Sequence, residues 1–72
     1  MKPYQKRLLE DYRRVRKEEL KLFNYILIRE LGLSETKPKA PMNLLKKQYE
    51  AMHEYSKVLA TRLVMEGIDK YI

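Results

Sequence analysis

One stretch of the sequence, Gly32-Leu33-Ser34-Glu35-Thr36-Lys37-Pro38-Lys39-Ala40-Pro41, interrupts an otherwise helix-compatible chain and decides the fold. Gly32 suits the left-handed backbone position that follows a helix end, and proline cannot continue a helix because it lacks an N–H group. The residue before each proline is also driven away from helical geometry. We therefore predict a turn over residues 32–41, followed by a helix with either Pro41 in its first turn or Asn43 as its N-cap.

Apolar residues on both sides of this turn recur every three or four positions, which is the spacing of one face of an α-helix. In the first segment they are Leu8, Leu9, Tyr12, Val15, Leu20, Phe23, Ile26, Leu27 and Leu31. In the second segment they are Leu45, Tyr49, Met52, Ser56, Leu59 and Leu63, with a flanking row of Leu44, Ala51, Tyr55, Val58, Arg62 and Met65. The pattern predicts an all-α antiparallel hairpin in a single domain: a helix at about 4–31, a helix at about 42–66, and a short tail, 67–72.

The apolar stripe of the first helix is uneven. It is narrow through residues 13–19, so the prediction allows a bend near residues 14–19, and it covers almost the whole circumference through residues 22–28. We expect the first half of this helix to face water and the second half to be buried on several sides. A helix with one neighbour needs one apolar face, so the wide segment predicts contacts with other subunits.

The chain is too small to be very stable alone. A core built from 72 residues rarely supplies more than a few kcal/mol of stability, and small domains usually add disulfides, metals or oligomerisation. The sequence has no cysteine and one histidine, which leaves oligomerisation. We therefore predict that the hairpin assembles as a homo-oligomeric helical bundle.

The charge is basic and unevenly placed. Lys and Arg outnumber Asp and Glu by 16 to 10, and residues 1–21 hold eight of the basic and four of the acidic side chains. This excess predicts an anionic partner near the first helix. The sequence contains no signal-peptide core and no apolar run of the roughly 20 residues that span a bilayer, so we expect no membrane association and a cytoplasmic location.

Tyr4 lies among Lys2, Lys6 and Arg7, and an aromatic face beside cations suits a nucleobase and its phosphate. The alternative is a packing residue at the start of the helix. Arg62 falls within an apolar row, where a guanidinium needs an acid, carbonyl groups or a ligand phosphate. Glu66, one turn further on, is the structural candidate for that partner.

A cationic cluster follows on the polar side of the first helix. Its members are Arg13, Arg14, Arg16, Lys17 and Lys21. Such clusters are usually solvated and balanced by nearby acids, and phosphate binding is the alternative.

Catalytic machinery is not apparent in the sequence. Glu50 and His53 form a Glu-x-x-His pair of the kind found in carboxylate-bridged di-iron bundles, but the pair straddles the apolar stripe. With one His, no Cys and no glycine-rich phosphate loop, no nucleophile and base can be paired. We predict a binding or scaffold protein with no enzymatic activity, no cofactor and no metal.

Two segments resemble a family of short bacteriophage proteins. They are Pro3-Tyr4-Gln5-Lys6-Arg7-Leu8-Leu9 and the run from Leu44 through Leu-Lys-Lys-Gln-Tyr-Glu-Ala-Met-His-Glu-Tyr-Ser-Lys-Val-Leu-Ala-Thr-Arg to Leu63. The family includes the anti-CBASS sponges, which sequester cyclic oligonucleotides.

The resemblance implies a compact helical homo-oligomer, hexameric in the sponges, that binds cyclic dinucleotides between paired subunits. An N-terminal tyrosine and a first-helix lysine form that site, and a second kind of pocket uses a late arginine for cyclic trinucleotides. By position the tyrosine is Tyr4 and the arginine is Arg62. Glu18 and Glu19 stand near the expected lysine, which leaves Lys17 or Lys21 for that role.

The sequence thus predicts a phage inhibitor of host defence that sequesters cyclic oligonucleotides in the host cytoplasm without cleaving them. The predicted ligand-binding residues are Tyr4, Arg7, Lys17, Lys21 and Arg62. A protein-interaction module that blocks or adapts a host or phage protein is the second hypothesis. Duplex nucleic acid ranks third, because a ten-residue connection does not make a helix-turn-helix.

Overall fold

The structure, a computed structural model, describes residues 1–33 and 39–72, so Pro38 and the rest of residues 34–38 lie outside the described part. Helix α1 spans Pro3–Glu30, helix α2 spans Met42–Met65, and a short 3₁₀ helix spans Asp69–Tyr71. The two long helices pack along each other, and the described residues form no β-strand. The predicted all-α helical hairpin is confirmed, and α1 continues without interruption through residues 14–19.

Both helices start at prolines, but in different ways. Pro3 occupies the first turn of α1, and the side chain of Gln5 accepts a 2.9 Å hydrogen bond from the backbone N–H of the N-cap, Lys2. Pro41 is itself the N-cap of α2 and has extended geometry. The sequence prediction of a first-turn Pro41 or an N-cap Asn43 was therefore wrong, because extended Pro41 already ends the connection and its carbonyl accepts the first helical bonds.

Both helices end in the same motif, with a glycine in the left-handed conformation. Gly32 has a φ of 71° and Gly67 a φ of 70°. After α2, Gly67 N–H donates to the carbonyl of Val64, and Ile68 N–H donates to the carbonyl of Leu63 at 3.0 Å. This Schellman pattern satisfies the last carbonyls and brings the following apolar residue back against the helix. It folds the C-terminal tail inward at Ile68.

The buried apolar cluster lies at the open end of the hairpin, where the two chain termini meet. Its members are Leu8, Leu9, Val15, Leu59, Leu63 and Ile68. The tail is docked there, since Ile68 is only 7% exposed and Arg13 donates a hydrogen bond to the carbonyl of Tyr71. The expectation that the first half of α1 faces water was wrong, because the end of α2 and the tail cover one side of it.

The half of the hairpin next to the turn has no comparable core. No described residue in 20–33 or 39–55 is buried. Leu27 is 45% exposed, Leu31 62% and Leu44 53%. Within one chain, the apolar girdle at residues 22–28 is therefore only partly buried, because a two-helix hairpin offers each helix one neighbour only. Its burial against other subunits stays a prediction.

A buried carboxylate joins the two halves. Glu19 has no exposed surface and accepts hydrogen bonds from Arg16 Nη1 at 2.8 Å and Ser56 Oγ at 3.0 Å. Nδ1 of His53 also contacts this carboxylate. Burial raises the pKa of Glu19, but the hydrogen bonds from Arg16, His53 and Ser56 more than offset it, so the pKa lies below its ordinary value.

This pKa shift makes a prediction about stability and pH. A carboxyl whose folded pKa is lowered stabilises the fold above its unfolded pKa of about 4.3, and this contribution is lost as pH falls through the folded pKa. Glu19→Gln should lower the free energy of unfolding at pH 7 by about 2 kcal/mol, the scale of hydrogen bonds to a charged group. The difference from wild type should shrink below about pH 4.

Urea unfolding followed by circular dichroism, at one fixed protein concentration, measures this difference at each pH. Glu18→Gln is the matched control, because Glu18 is exposed and lies 3.7 Å from Arg14. An equal effect of the two substitutions at pH 7 would contradict a structural role for the buried carboxylate.

Candidate functional site

A cleft at the open end of the hairpin brings the two ends of the chain together. Tyr4 and Arg7 reach it from the first turns of α1, and Arg62 reaches it from the last turn of α2. Its volume is about 510 Å³, within the usual range for small-ligand sites. The lining residues are Tyr4, Arg7, Leu8, Glu10, Asp11, Arg14 and Arg62.

Tyr4 is held in place by a carboxylate on the other helix end. Its hydroxyl donates a 2.9 Å hydrogen bond to Oε2 of Glu66, and Nε2 of Gln5 donates to the same oxygen at 3.0 Å. The hydrogen bond to Glu66 raises the pKa of Tyr4, and burial adds to this effect. In return, the hydrogen bonds from Gln5 and Tyr4 lower the pKa of Glu66. These hydrogen bonds position the ring of Tyr4 at the cleft, and Tyr4 remains 42% exposed to solvent.

The cleft contains three arginines and two acids, but the pairing is uneven. Nη2 of Arg14 lies 3.0 Å from Oδ1 of Asp11, and its Nη1 lies 3.7 Å from Glu18. Among residues 1–33 and 39–72, Arg7 and Arg62 form no ion pair. Two guanidinium groups are therefore open to an anionic ligand, and planar guanidinium matches the geometry of phosphate oxygens.

The surroundings of Arg62 differ from the simplest sequence interpretation. Glu66, the expected partner, accepts from Tyr4 and Gln5 and forms no salt bridge with Arg62, although the charge of Arg62 contributes to the lowered pKa of Glu66. The flanking apolar row also faces outward, since Val58 is 55% exposed and Met65 81%. Arg62 lies in the cleft wall.

Lys17 and Lys21 are not brought to this cleft. At 1.5 Å of rise per residue, they lie about 20 and 26 Å along α1 from Tyr4. Both are exposed, and neither forms an ion pair in the described part of the chain. One chain therefore assembles Tyr4, Arg7 and Arg62, but either lysine can join Tyr4 only through another copy.

Sequence reasoning missed several residues of the cleft. Asp11 and Arg14 line it together with Tyr4 and Arg7, and the spacing 4, 7, 11, 14 on one helix face could have revealed this set. The role of Glu66 as acceptor for Tyr4 could not have been found in this way, because the two residues are 62 positions apart.

The described residues include no group of three or more His, Cys, Asp or Glu side chains that could hold a metal ion. The pair Glu50 and His53, considered above as a metal motif, is instead split: His53 contacts buried Glu19 and stacks on Tyr49 with ring centres 5.8 Å apart. Among the described residues, no helix has the length and hydrophobicity needed to cross a membrane.

The fold and the cleft define a small all-α hairpin protein with an arginine-lined surface cleft. Residues 2–65 match the family model described as Sequestin, and the chain belongs to the Sequestin family. This match confirms the family resemblance inferred from the sequence, and the family name indicates sequestration. No curated protein and no solved structure matches the chain significantly.

The contact between Tyr4 and Glu66 predicts linked titrations. Glu66→Gln should lower the pKa of Tyr4 towards its ordinary value, because the ionised acceptor is removed, and Tyr4→Phe should raise the pKa of Glu66. Titration of proteins with isotope-labelled Tyr and Glu by nuclear magnetic resonance measures both shifts. Tyr71→Phe is the control and should leave the pKa of Glu66 unchanged. If the pKa of Tyr4 is the same in Glu66→Gln as in the wild type, the two side chains are not in contact in solution.

Proposed function

We propose that the protein is a phage-encoded inhibitor of host defence that sequesters cyclic oligonucleotide second messengers in the host cytoplasm without cleaving them. The observation that carries this proposal is the convergence of Tyr4, Arg7 and Arg62, from opposite ends of the chain, on one cleft. Membership of the Sequestin family supports the sequestering role.

The chemistry of the cleft fits such a ligand. A cyclic dinucleotide presents two phosphodiester charges and two flat bases, and a cyclic trinucleotide presents three of each. The exposed ring of Tyr4 offers a stacking face for a base, which is typically worth about 1–3 kcal/mol. Arg7 and Arg62 offer guanidinium groups to the phosphates. The hydrogen bond from Tyr4 to Glu66 fixes the ring in advance, so less conformational freedom is lost on binding.

A homo-oligomer completes the site in this proposal. Lys17 and Lys21 are too far along α1 to meet Tyr4 of the same chain, but a neighbouring copy can place either lysine beside it. Each cleft then holds cations from two subunits, and a hexamer, as in the sponges, carries several such clefts. Ligand held between rigid subunits dissociates slowly, which is what retention without chemical conversion requires.

Calorimetric titration with a panel of cyclic dinucleotides and trinucleotides tests the proposal. We expect tight binding of at least one member, and recovery of that ligand intact after long incubation. Tyr4→Ala and Arg62→Ala should each weaken binding at least tenfold, because each removes a stacking face or a phosphate partner.

The control substitutions remove a tyrosine and a cation that lie outside the cleft. Tyr71→Ala removes an exposed tyrosine and Lys57→Ala an exposed cation, and both should bind as wild type does. Absence of heat with every member of a broad panel would refute the proposal. Loss of binding in the controls as well would place the site elsewhere.

The outward apolar row of α2 favours one alternative, a module that blocks or adapts a host or phage protein. Val58 and Met65 lie in this row with most of their surface exposed, and Met and Tyr are common at protein contacts. This alternative would be supported if the chain shows no nucleotide affinity but captures a host or phage protein, and if that capture is lost on substitution of Met65 and kept on substitution of Tyr4.

A further inference from the structure

A second apolar face of α1 is used neither by the hairpin nor by the cleft. We call it the outer seam, and it consists of Leu20, Asn24, Leu27 and Leu31 at spacings of four, three and four residues. All four are exposed, Leu20 at 47%, Leu27 at 45% and Leu31 at 62%. This is the alternating spacing by which one helix packs along another.

The outer seam lies where the hairpin is least complete. The buried apolar cluster is confined to the open end, whereas the described residues around the seam, 20–33, include no buried side chain. Exposed apolar residues aligned along one helix face are typical of an interaction site in soluble proteins. The half of the hairpin without a buried core therefore exposes apolar residues that could form a core by packing against a partner.

The polar member of the seam indicates the kind of partner. An uninterrupted apolar helix would cover Asn24 and leave its amide without a hydrogen-bond partner, which destabilises the contact. A second copy brings another Asn24 amide, which offers both a donor and an acceptor. The described residues bury only six apolar side chains, and a core of this size is usually stabilised by oligomerisation. A copy of the chain is the partner that is always present at matching concentration.

Charge decides the orientation of the two copies. Towards the N-terminus, the seam positions continue as Lys17 and Arg13, which are both exposed cations. Parallel pairing would place these cations beside their own copies. Antiparallel pairing of seam on seam separates the two Lys17 residues by roughly 25 Å along the helix axis and keeps the two Asn24 residues within about 5 Å along it.

We propose that the outer seam is an antiparallel interface between two copies of this chain, with the two Asn24 side chains next to its two-fold axis. The inference rests on the oligomeric part of the proposed function and names one contact between subunits. A different contact must bring Lys17 or Lys21 of a neighbouring copy to Tyr4, because antiparallel pairing of the seams places both lysines near the turn end of the partner. It does not depend on the identity of the ligand, because the cleft lies at the other end of the hairpin.

The absence of cysteine from the sequence makes site-specific crosslinking straightforward. Asn24→Cys, treated with a short bismaleimide at micromolar protein, should give a covalent dimer in high yield. Lys17→Cys should remain mostly monomeric, because its partner is out of reach. Efficient crosslinking of Lys17→Cys would establish parallel pairing and overturn the proposal, and failure of Asn24→Cys to crosslink would overturn the interface itself.

Sedimentation of Leu27→Asp gives a second measurement. A charge in the seam should weaken self-association at least tenfold. Ile72→Asp, which changes an even more exposed apolar residue at the open end, should associate as wild type does. Wild-type association of Leu27→Asp would also overturn the interface. If Leu27→Asp unfolds, the crosslinking pair still decides. Calorimetry on crosslinked Asn24→Cys separates the two proposals. If the crosslinked dimer forms but binds no cyclic oligonucleotide, the proposed ligand is refuted and the proposed interface stands.

Discussion

The packing of the two chain termini against each other is the constraint on which the rest of the structure depends. Leu8 and Leu9 from the start of α1 and Leu63 from the end of α2 form one buried cluster, and Ile68 closes it. The left-handed Gly67 makes this closure possible by folding the tail back onto α2. Because these side chains fix the register of the helices, Tyr4 meets Glu66 and the cleft forms.

The two ends of the hairpin therefore differ in structure. The open end has a core, a docked tail and a polar cleft with two arginines that form no ion pair within the described residues. Near the turn, no described residue is fully buried. The helices touch there through such contacts as the tilted pair Phe23 and Tyr49, 5.5 Å between ring centres, and the ion pair of Glu30 with Lys46. A chain of this size buries too little apolar surface for a core at both ends, and the proposed ligand cleft and the proposed contact between copies lie at opposite ends.

Between the two ends lies the buried cluster around Glu19. A carboxylate in a small core is costly unless every oxygen is satisfied, and here Arg16, His53 and Ser56 satisfy it. The periodicity of the sequence does not reveal this role, because Glu19 looks like one more solvated acid in a charged run. Ser56 sits within the apolar stripe for this reason: its hydroxyl faces the acid across the helix pair.

The sequence by itself determined the helical hairpin, since helix periods, glycine caps and prolines act locally and act in any surroundings. It also indicated the family of the chain and, through the resemblance to that family, Tyr4 and Arg62 as candidate ligand contacts. Only the tertiary structure decided which end carries the core, that Glu66 holds Tyr4, and that Arg62 joins Tyr4 and Arg7 in one cleft. These facts depend on contacts between residues far apart in the chain, whose register is fixed by side-chain packing, and no local pattern encodes that register.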